Sequence, residues 1–303
     1  MNAQRIPAFI NPESGNGERA REVLAAGPFD LHEVAPHELK DRVAEILATK
    51  KPKRILIAGG DGSIRTVAEL IVGTEVELAV LPSGTLNHFA KDHRLPTDLE
   101  EAARVAVDGV VDRVDAGRVG DRLFHGTSSI GAYIHFMKVR ERIEPAFGYR
   151  ISTLLAGIWT FFRMPTIAVS LEIDGRKHIY RTPLLFVAVG ERELKLPTLG
   201  GRVDGGRRGL HLMVVRGRTR ARLLFLALDA VLNGIREATH QPEFESFIVE
   251  ACSISMRRRR ARISFDGEAE YMHTPLEYRL ESDILRLVVP STARHHGDGS
   301  PSV

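Results

Sequence analysis

Five residues, Gly59-Gly60-Asp61-Gly62-Ser63, have the types and spacing that most clearly predict chemistry. The mostly apolar residues 54–58 before them predict a buried strand, and residues 64–71 after them have apolar side chains at helical spacing. A glycine-rich turn that opens a helix leaves backbone N–H groups beside the positive end of the helix dipole, where phosphate groups bind. The pattern predicts an anion site, and its alternative is a plain strand-to-helix turn.

Asp61 is the acidic residue of this loop. A carboxylate among phosphate ligands weakens simple anion binding, so we expect Asp61 to hold Mg²⁺ or to take a proton from an attacking hydroxyl group. Two familiar phosphate motifs are excluded. The Rossmann fingerprint needs a glycine where Arg65 stands, and the sequence contains no G-x-x-x-x-G-K-[ST].

Two more strand-like runs end in small, hydrogen-bonding residues. Residues 77–82 run into Ser83-Gly84-Thr85-Leu86-Asn87, and residues 6–10 run into Asn11-Pro12-Glu13-Ser14-Gly15-Asn16-Gly17. Helical patterns lie between the runs, and alternating strands and helices predict a parallel sheet whose ligand binds beyond the carboxyl ends of the strands. We therefore expect the three loops to line one crevice.

The supporting helices are visible in the apolar periodicity. Residues 39–47 predict an amphipathic helix before the second strand, and residues 99–107 predict another after the third loop. Asp98 is the predicted N-cap of the later helix, and Gly109 is its predicted end.

The loops together resemble the diacylglycerol kinase catalytic family, which includes bacterial lipid kinases and sphingosine kinases. The matching segments are Asn11-Pro12-x-Ser14-Gly15, Gly59-Gly60-Asp61-Gly62-Ser63 and Leu81-Pro82-x-Gly84-Thr85-x-Asn87-x-Phe89-Ala90. A fourth segment, Phe265-Asp266-Gly267-Glu268, resembles the Asp-Gly-Glu of the family's second domain. The resemblance spans nearly the whole chain. It implies a kinase that uses ATP and Mg²⁺ to phosphorylate the hydroxyl group of diacylglycerol or a related lipid.

The resemblance also implies a nucleotide site made of the loop residues Asn11, Gly59, Gly60, Asp61, Gly62, Ser63, Gly84, Thr85 and Asn87. Three of these side chains have alternatives. Ser63 and Thr85 are also candidate helix N-caps, which is compatible with binding phosphate, and Asn87 is also a candidate for fixing its loop.

The catalytic base has two candidates. The resemblance makes Asp266 the leading one, with Glu268 beside it, because carboxylates at positions i and i+2 share one face of a strand and can divide proton transfer and metal binding. Asp266-Gly267 is equally an ordinary turn pair. Asp61 competes for the role of base, or serves Mg²⁺ through the ATP phosphates.

The sequence departs from the family at two places. An acidic Asp-Gly-x-Leu segment that helps a structural metal site in the family is replaced by Arg207-Arg208-Gly209-Leu210, which leaves Asp204 as a weak candidate ligand. The second departure is at His125-Gly126, where the family often has asparagine. These changes bear on the substrate side and on the accessory metal, and leave the phosphate loops intact.

We predict a nucleotide-binding α/β domain over residues 1–115, with a Rossmann-like parallel sheet of the NAD kinase and diacylglycerol kinase type. Short strands broken by Gly, Asp and Pro predict a β-sandwich-like substrate domain over 116–275. Residues 276–280 and 284–289 are predicted to form a hairpin-like pair, and residues 276–290 to complete the first domain. Residues 291–303 are predicted to be a disordered tail. Further helices are predicted at 133–143, 147–164 and 219–236.

Composition sets the remaining bounds. With 43% hydrophobic and 27% charged residues, the chain is typical of a soluble globular protein. A single cysteine, Cys252, excludes an intrachain disulfide, no cluster has zinc spacing, and no signal peptide is visible, so we expect a cytoplasmic protein. The longest apolar run, residues 154–162, is about half of the roughly 20 residues needed to cross a bilayer.

Two segments bear on membrane association. Residues 149–164 are apolar, aromatic and flanked by Arg150 and Arg163, which favours a membrane interface or an acyl channel, with packing on the sandwich as the alternative. The helix with Arg220, Arg222 and residues 223–226 has the same two interpretations. The run Arg257-Arg258-Arg259-Arg260-Ala261-Arg262 would divide its arginines between two faces of a strand, and it favours either anionic lipids or a solvated strand edge.

The predicted partners are a lipid substrate and an anionic membrane surface, with a homodimer left open. The predicted location is the cytoplasm, at the periphery of a membrane. The absence of aromatic residues among the arginines argues against nucleic acid. Three rival functions remain: a sphingoid-base or NAD-type kinase, a catalytically inactive nucleotide-binding relative, and a non-kinase domain that binds a phosphate metabolite.

Overall fold

The chain divides into two compact units, Met1–Ala116 with Glu281–Val303, and Gly117–Leu280. A computed structural model describes residues 5–12, 15–163, 166–193, 201–203, 205–215 and 244–293. Several predictions fall outside these residues: the metal ligand Asp204, the helix at 219–236 with Arg220 and Arg222, the loop residue Ser14, and the tail beyond residue 293.

The first unit alternates strands and helices along the chain. In order they are β1 (Ile6–Ile10), α1 (Gly17–Ala25), β2 (Phe29–Glu33), α2 (Leu39–Lys50), β3 (Arg54–Gly59), α3 (Asp61–Ile71), β4 (Glu77–Pro82), α4 (His88–Asp92), α5 (Leu99–Asp108) and the start of β5 (Val110–Val119).

The second unit consists mainly of strands. After the end of β5, its elements in order are β6 (Arg122–Phe124), β7 (Thr127–Gly131), the helix α6 (Ala132–Arg163), β8 (Ile167–Ile173), β9 (Arg176–Thr182), β10 (Leu184–Val189), β11 (Leu210–Val215), β12 (Phe244–Val249), β13 (Ala251–Met256), β14 (Arg260–Phe265), β15 (Glu268–His273) and the start of β16 (Leu276–Val289). The end of β16 belongs to the first unit, and a single 3₁₀ turn, Ser291–Ala293, follows it.

The sheet of the first unit has the strand order β2-β1-β3-β4-β16, and all its neighbouring strands are parallel. The direction of winding reverses between β1 and β3. Ligands of open α/β sheets bind beyond the carboxyl ends of the strands at such a switch point. The predicted α/β domain with a parallel sheet is confirmed.

Alternate residues of each strand point to opposite faces of this sheet, and helices cover both faces. On one face Ile55 and Ile57 join a core with α2 and α3, and on the other Leu56 and Ala58 join a core with α1 and α5. Asp98 caps α5 by accepting the N–H of Glu101 at 2.9 Å, which confirms the predicted cap.

In the second unit, antiparallel strands form two layers around one core. One layer has the order β12-β11-β10-β7-β14-β15, and the other places β13 between β8 and the start of β16. Inward-pointing residues of both layers, such as Val187, Leu212, Ile254 and Tyr278, make up the core. The predicted β-sandwich-like second domain is confirmed.

The prediction of a hairpin over residues 276–289 is wrong. These residues form one continuous strand, β16, which pairs antiparallel with β13 and then parallel with β4. Asp283 adopts a turn-like backbone conformation (φ 56°), but its N–H donates to the Asp115 carboxylate at 2.9 Å and the chain continues in its original direction.

Residues 132–163 are helical with one interruption at Gly148, where φ is 69°. The two predicted helices, 133–143 and 147–164, are therefore the two segments of α6. Within the part of the chain that the structure describes, no helix is both long and apolar enough to cross a bilayer.

The arginine run lies only in part on a strand, because Arg260, Ala261 and Arg262 begin β14 and the residues before them do not. Arg257, Arg258 and Arg259 form the connection between β13 and β14, and all three are exposed, as is Arg260 at the start of β14. A connection has no alternating faces, so these side chains form one basic turn, and none of the described carboxylates pairs with it. The Arg260 guanidinium lies 5.7 Å from the ring centre of the exposed Tyr271.

Candidate functional site

The N-terminus of α3 is open toward a ligand. Its N-cap is Gly60, which has no capping side chain, and the first backbone bond runs from the Ile64 N–H to the Gly60 carbonyl at 3.1 Å. The N–H groups of the first turn, at Asp61, Gly62 and Ser63, therefore have no acceptor within the helix. Uncapped amides at the positive end of a helix dipole are an anion site.

The loop after β4 packs directly on this turn. A Cβ on Gly84 would lie 2.4 Å from the Cα atom of Gly60, so only a glycine permits the approach. The Ser83 N–H also donates to the Gly59 carbonyl at 3.3 Å. The second and third predicted loops are thus in contact through their backbones.

The Asp61 carboxylate joins the same two loops. Its Oδ1 atom accepts the N–H of Phe89 at 2.9 Å, and Oδ2 accepts the N–H of His88 at 3.2 Å, so it caps the short helix α4. Each carboxylate oxygen has about two acceptor positions, and each uses one of them here. Asp61 is therefore fixed in place and retains acceptor capacity for a further ligand.

The loop after β1 reaches the same point. The Asn16 N–H donates to the Ser83 carbonyl at 3.0 Å, and a Cβ on Gly15 would lie 2.6 Å from that oxygen. Asn11 directly follows β1 and is partly buried. The loops that follow β1, β3 and β4 lie together at the carboxyl ends of the strands, as the alternating pattern predicted.

Asn87 shapes the third loop. Its backbone is left-handed (φ 51°), and its Nδ2 atom donates to the carbonyls of Gly84 at 2.9 Å and Pro82 at 3.2 Å. Asn87 Oδ1 and the hydroxyl of Ser83 are buried with no hydrogen-bond partner among the described residues. Sequence reasoning did not single out Ser83, whose signal was its position immediately after β4.

The alternative roles of Ser63 and Thr85 as helix N-caps are wrong. Ser63 lies in the first turn of α3, after the Gly60 cap, and Thr85 lies in the turn before Asn87, which caps α4. Thr85 is exposed and Ser63 is partly exposed, so neither residue is enclosed in the core.

Asp266 lies in the second unit, between β14 and β15. Its Oδ2 atom accepts the N–H of His125 at 2.8 Å, and Oδ1 accepts those of Gly126 at 2.8 Å and Thr127 at 2.9 Å. Its own N–H donates to the Thr127 carbonyl at 2.8 Å. The carboxylate is held rigidly, and the segment that departs from the family at His125-Gly126 contacts it through backbone atoms.

Asp266 and Glu268 do not share one strand face, which corrects the prediction. Asp266 (φ 43°) and Gly267 (φ 95°) are the two residues of a hairpin turn, and Glu268 begins β15, where it pairs with Phe265. Two successive positive φ angles characterise a type I′ turn, for which Asp-Gly is a preferred pair. Glu268 is exposed.

Near the Arg208 departure, charges are paired within the protein. The Glu191 carboxylate accepts the backbone N–H of Arg207 at 2.8 Å and its guanidinium at 3.2 Å, and these bonds hold the pKa of Glu191 below its usual value. Burial lowers the pKa of the neighbouring His211, whose Nδ1 accepts the Arg192 N–H at 3.0 Å. Among the described residues, no group of three or more His, Cys, Asp or Glu side chains could hold a metal ion.

Comparison with known families tests the resemblance. Residues 5–119 match the family model of the diacylglycerol kinase catalytic domain. The resemblance to that family is confirmed. The match covers the three loops that meet in the first unit.

Two curated relatives illustrate the similarity. A protein of Mycobacterium tuberculosis named diacylglycerol kinase is 29% identical over 190 residues, which cover 58% of this chain and 61% of the relative. A protein of Pseudomonas putida named "Probable lipid kinase YegS-like" is 33% identical over 153 residues, which cover 49% of this chain and 50% of the relative. The matched residues thus cover less than two thirds of the length of these relatives. Their names support the prediction of a kinase enzyme.

Solved structures extend the similarity of fold over the whole chain. The crystal structure of a diacylglycerol kinase from Bacillus anthracis has a TM-score of 0.68 and 18% sequence identity, and the match covers 97% of this chain and 99% of that one. At this identity the likeness shows the fold, and the chemistry depends on the residues described above.

Proposed function

We propose that the protein is an ATP-dependent lipid kinase that phosphorylates the hydroxyl group of diacylglycerol or a related lipid. The observation that supports this most strongly is the open N-terminus of α3, surrounded by the loops after β1, β3 and β4. The family match covers these loops, and the relatives are named as kinases of diacylglycerol or of lipids.

The first unit would hold the nucleotide. The free amides at Gly62 and Ser63 bind the phosphates, with Gly59, Gly60 and Gly84 allowing close approach of the backbone. Ser63, Thr85 and Asn11 supply side-chain contacts. Asp61 fixes the relative position of two loops, and catalysis of phosphoryl transfer depends mainly on such positioning and on charge stabilisation.

Mg²⁺ fits this arrangement with Asp61 as its protein ligand. In kinases the ion is held by one or two carboxylates together with the nucleotide phosphates, so an all-protein cage is not required. Each Asp61 oxygen has one remaining acceptor position after binding its backbone N–H. Bound there, the ion would neutralise charge on the phosphates.

On the acceptor side we propose Asp266 as the residue that orients the lipid hydroxyl group and takes its proton. Its Oδ2 atom accepts one backbone N–H and retains one acceptor position. Because three amides fix the carboxylate, no reorganisation is needed to accept the hydroxyl hydrogen. Glu268, exposed beyond the turn, is proposed to assist.

The test is transfer of label from γ-labelled ATP to lipids presented in vesicles, with Mg²⁺ and with a chelator. Mg²⁺-dependent label in the organic phase is the expected result. Label only in a water-soluble product would indicate an NAD-type kinase, and label on a sphingoid base alone would change the assigned acceptor. ATP binding without transfer to any lipid would indicate a catalytically inactive relative.

Asp61→Asn and Asp266→Asn are each expected to lower turnover by orders of magnitude, and Asp121→Asn, an exposed turn carboxylate, is the matched control. An amide at position 266 keeps one acceptor oxygen but turns its NH₂ group toward at least one of the three backbone N–H groups, so thermal unfolding must be measured in parallel to compare folded proteins. Full turnover by Asp266→Asn would show that another group accepts the proton of the lipid hydroxyl.

We further propose that the protein works in the cytoplasm at an anionic membrane surface, attracted by the basic turn Arg257–Arg260. Attraction between exposed charges weakens as salt shortens the Debye length. Pelleting with anionic vesicles is therefore expected to fall between low and high salt, and to fall less for Arg257→Gln with Arg258→Gln. If vesicle pelleting of the variant and of the original protein falls equally with salt, the basic turn does not attract the protein to the membrane.

A further inference from the structure

The second segment of α6 has an apolar face directed outward. Beyond Gly148 the largest apolar side chains recur at helical spacing and are exposed, with Leu154 at 64% and Phe162 at 63% of their full accessibility. The members of this α6 apolar face beyond Gly148 are Ile151, Leu154, Leu155, Ile158, Trp159 and Phe162, and the exposed Phe147 directly precedes Gly148. An exposed apolar patch of this extent usually marks an interaction surface.

The inward side of the same segment carries small residues. Ser152 and Ala156 are completely inaccessible and Thr160 is buried, one turn apart from each other along the helix. A helix that only packs on a protein core does the reverse, directing large apolar side chains inward and polar ones outward. The large exposed side chains of this segment are therefore not explained by packing on the core of the second unit.

The charges of this segment have one sign. Between Glu144 and Glu172 the sequence has no acidic residue and has two arginines, Arg150 and Arg163. The Arg163 guanidinium lies 5.0 Å from the ring centre of Trp159. An aromatic ring beside a basic side chain is suited to a membrane interface, where the ring contacts acyl chains and the cation contacts headgroups.

We propose that the α6 apolar face inserts into the interfacial layer of an anionic lipid bilayer. The inference rests on the proposed function, because a kinase whose acceptor is a membrane lipid must reach the bilayer. From Gly148 to Arg163 a helix is about 24 Å long, at roughly 1.5 Å per residue, which is shorter than the roughly 30 Å hydrocarbon core. The helix accordingly lies along the surface of the bilayer. Its purely positive charge matches anionic headgroups and disfavours pairing with a second copy of itself.

Trp159 provides the measurement, because it is the single tryptophan of the chain and belongs to the α6 apolar face. The full chain is titrated with phosphatidylcholine vesicles containing an anionic phospholipid, without ATP. The expected result is a shift of the Trp159 emission to shorter wavelength, with quenching by lipids brominated near the top of the acyl chains.

Two variants make the test specific. Leu154→Ser with Phe162→Ser is expected to weaken vesicle partition by about tenfold or more, since two apolar side chains no longer leave water. Ile179→Ser is the matched control, because Ile179 is an 80% exposed apolar residue of β9 outside the α6 apolar face. Vesicle affinity of the control is expected to equal that of the original chain.

Three results would overturn the proposal. The first is unchanged Trp159 emission while the protein pellets with the vesicles. The second is equal vesicle affinity of the serine variant and the original chain. The third is an emission shift that follows protein concentration without lipid and accompanies dimerisation. Because no ATP is present, failure here leaves the kinase assay unaffected, and an inactive enzyme leaves this measurement valid.

Discussion

Asp61 is an acidic residue in the first turn of a helix that is predicted to bind phosphate. Its carboxylate binds the amides of His88 and Phe89, which belong to α4, while the amides at the start of α3 remain open. From sequence, the acid predicted chemistry at this loop. Its structural role was not predictable, because it depends on a contact between residues 27 and 28 positions apart.

Gly84→Ala tests the close approach of two loops. The new Cβ would lie 2.4 Å from Gly60 Cα, so the backbones must separate, at a cost of about 1–3 kcal/mol. Thermal and urea unfolding, with binding of an ATP analogue, measure the effect. Gly60→Ala is the stability control, because its Cβ meets Gly84 at 3.4 Å. Equal unfolding free energies of the two variants would contradict this account.

His211 predicts a dependence of stability on pH. Burial lowers its pKa below the ordinary 6.5, with Arg207 and Arg192 acting in the same direction and Glu191 opposing them. The unfolded chain therefore binds the proton more readily, so this contribution is complete above pH 6.5 and is lost as the pH falls toward the folded pKa.

His211→Asn removes the titration and keeps an acceptor for the Arg192 N–H. The expected result is a smaller loss of unfolding free energy between pH 7 and pH 5 than in the original chain, measured by urea unfolding. If the unfolding free energy of the variant depends on pH as in the original chain, groups other than His211 cause the loss of stability in acid.

At the level of elements, local signals predicted most of the first unit. The β1 and β4 ranges follow from apolar runs bounded by turn residues, and α5 follows from its periodicity and cap. The continuous strand β16 was not predictable, because Glu281-Ser282-Asp283 has the composition of a turn and the bond from the Asp283 N–H reaches Asp115, which is 168 positions away. The Asp266 turn was recognised as a possibility, whereas its three amide donors come from residues about 140 positions away.

Asp98→Ala tests the cap of α5. Removing the bond to the Glu101 N–H leaves one more amide of the first turn without a partner and is expected to cost about 0.5–2 kcal/mol of unfolding free energy. Asp108→Ala, an exposed acid at the other end of α5, is the control. There a negative charge opposes the helix dipole, so its removal is expected to be neutral or slightly stabilising.

At the scale of the whole molecule, the first unit depends on the last strand of the chain. Leu285, Leu287 and Val289 of β16 belong to its core, although the whole second unit precedes them in the sequence. Leu287→Ala is expected to lower the unfolding free energy of the first unit by about 2–5 kcal/mol.

Reporters of the second unit make this measurable. Trp159 and Cys252, the single tryptophan and cysteine, both belong to that unit, and burial raises the pKa of Cys252 to about 12, which suppresses its reaction with thiol reagents. During unfolding of Leu287→Ala, part of the circular dichroism signal is expected to be lost before Trp159 emission changes and before Cys252 becomes reactive. Simultaneous loss of all three signals would show that the destabilisation is not confined to the first unit.

The bond from the Asp283 amide to the Asp115 carboxylate has a practical consequence. It places the point where the chain leaves the first unit beside the point where it returns, so residues 117–280 are an insertion into a smaller protein. A few glycines and serines joining Ala116 to Glu281 would span the gap. Such a shortened chain would contain β1 to β4 and the end of β16, and the loops after β1, β3 and β4 could then be studied without the second unit.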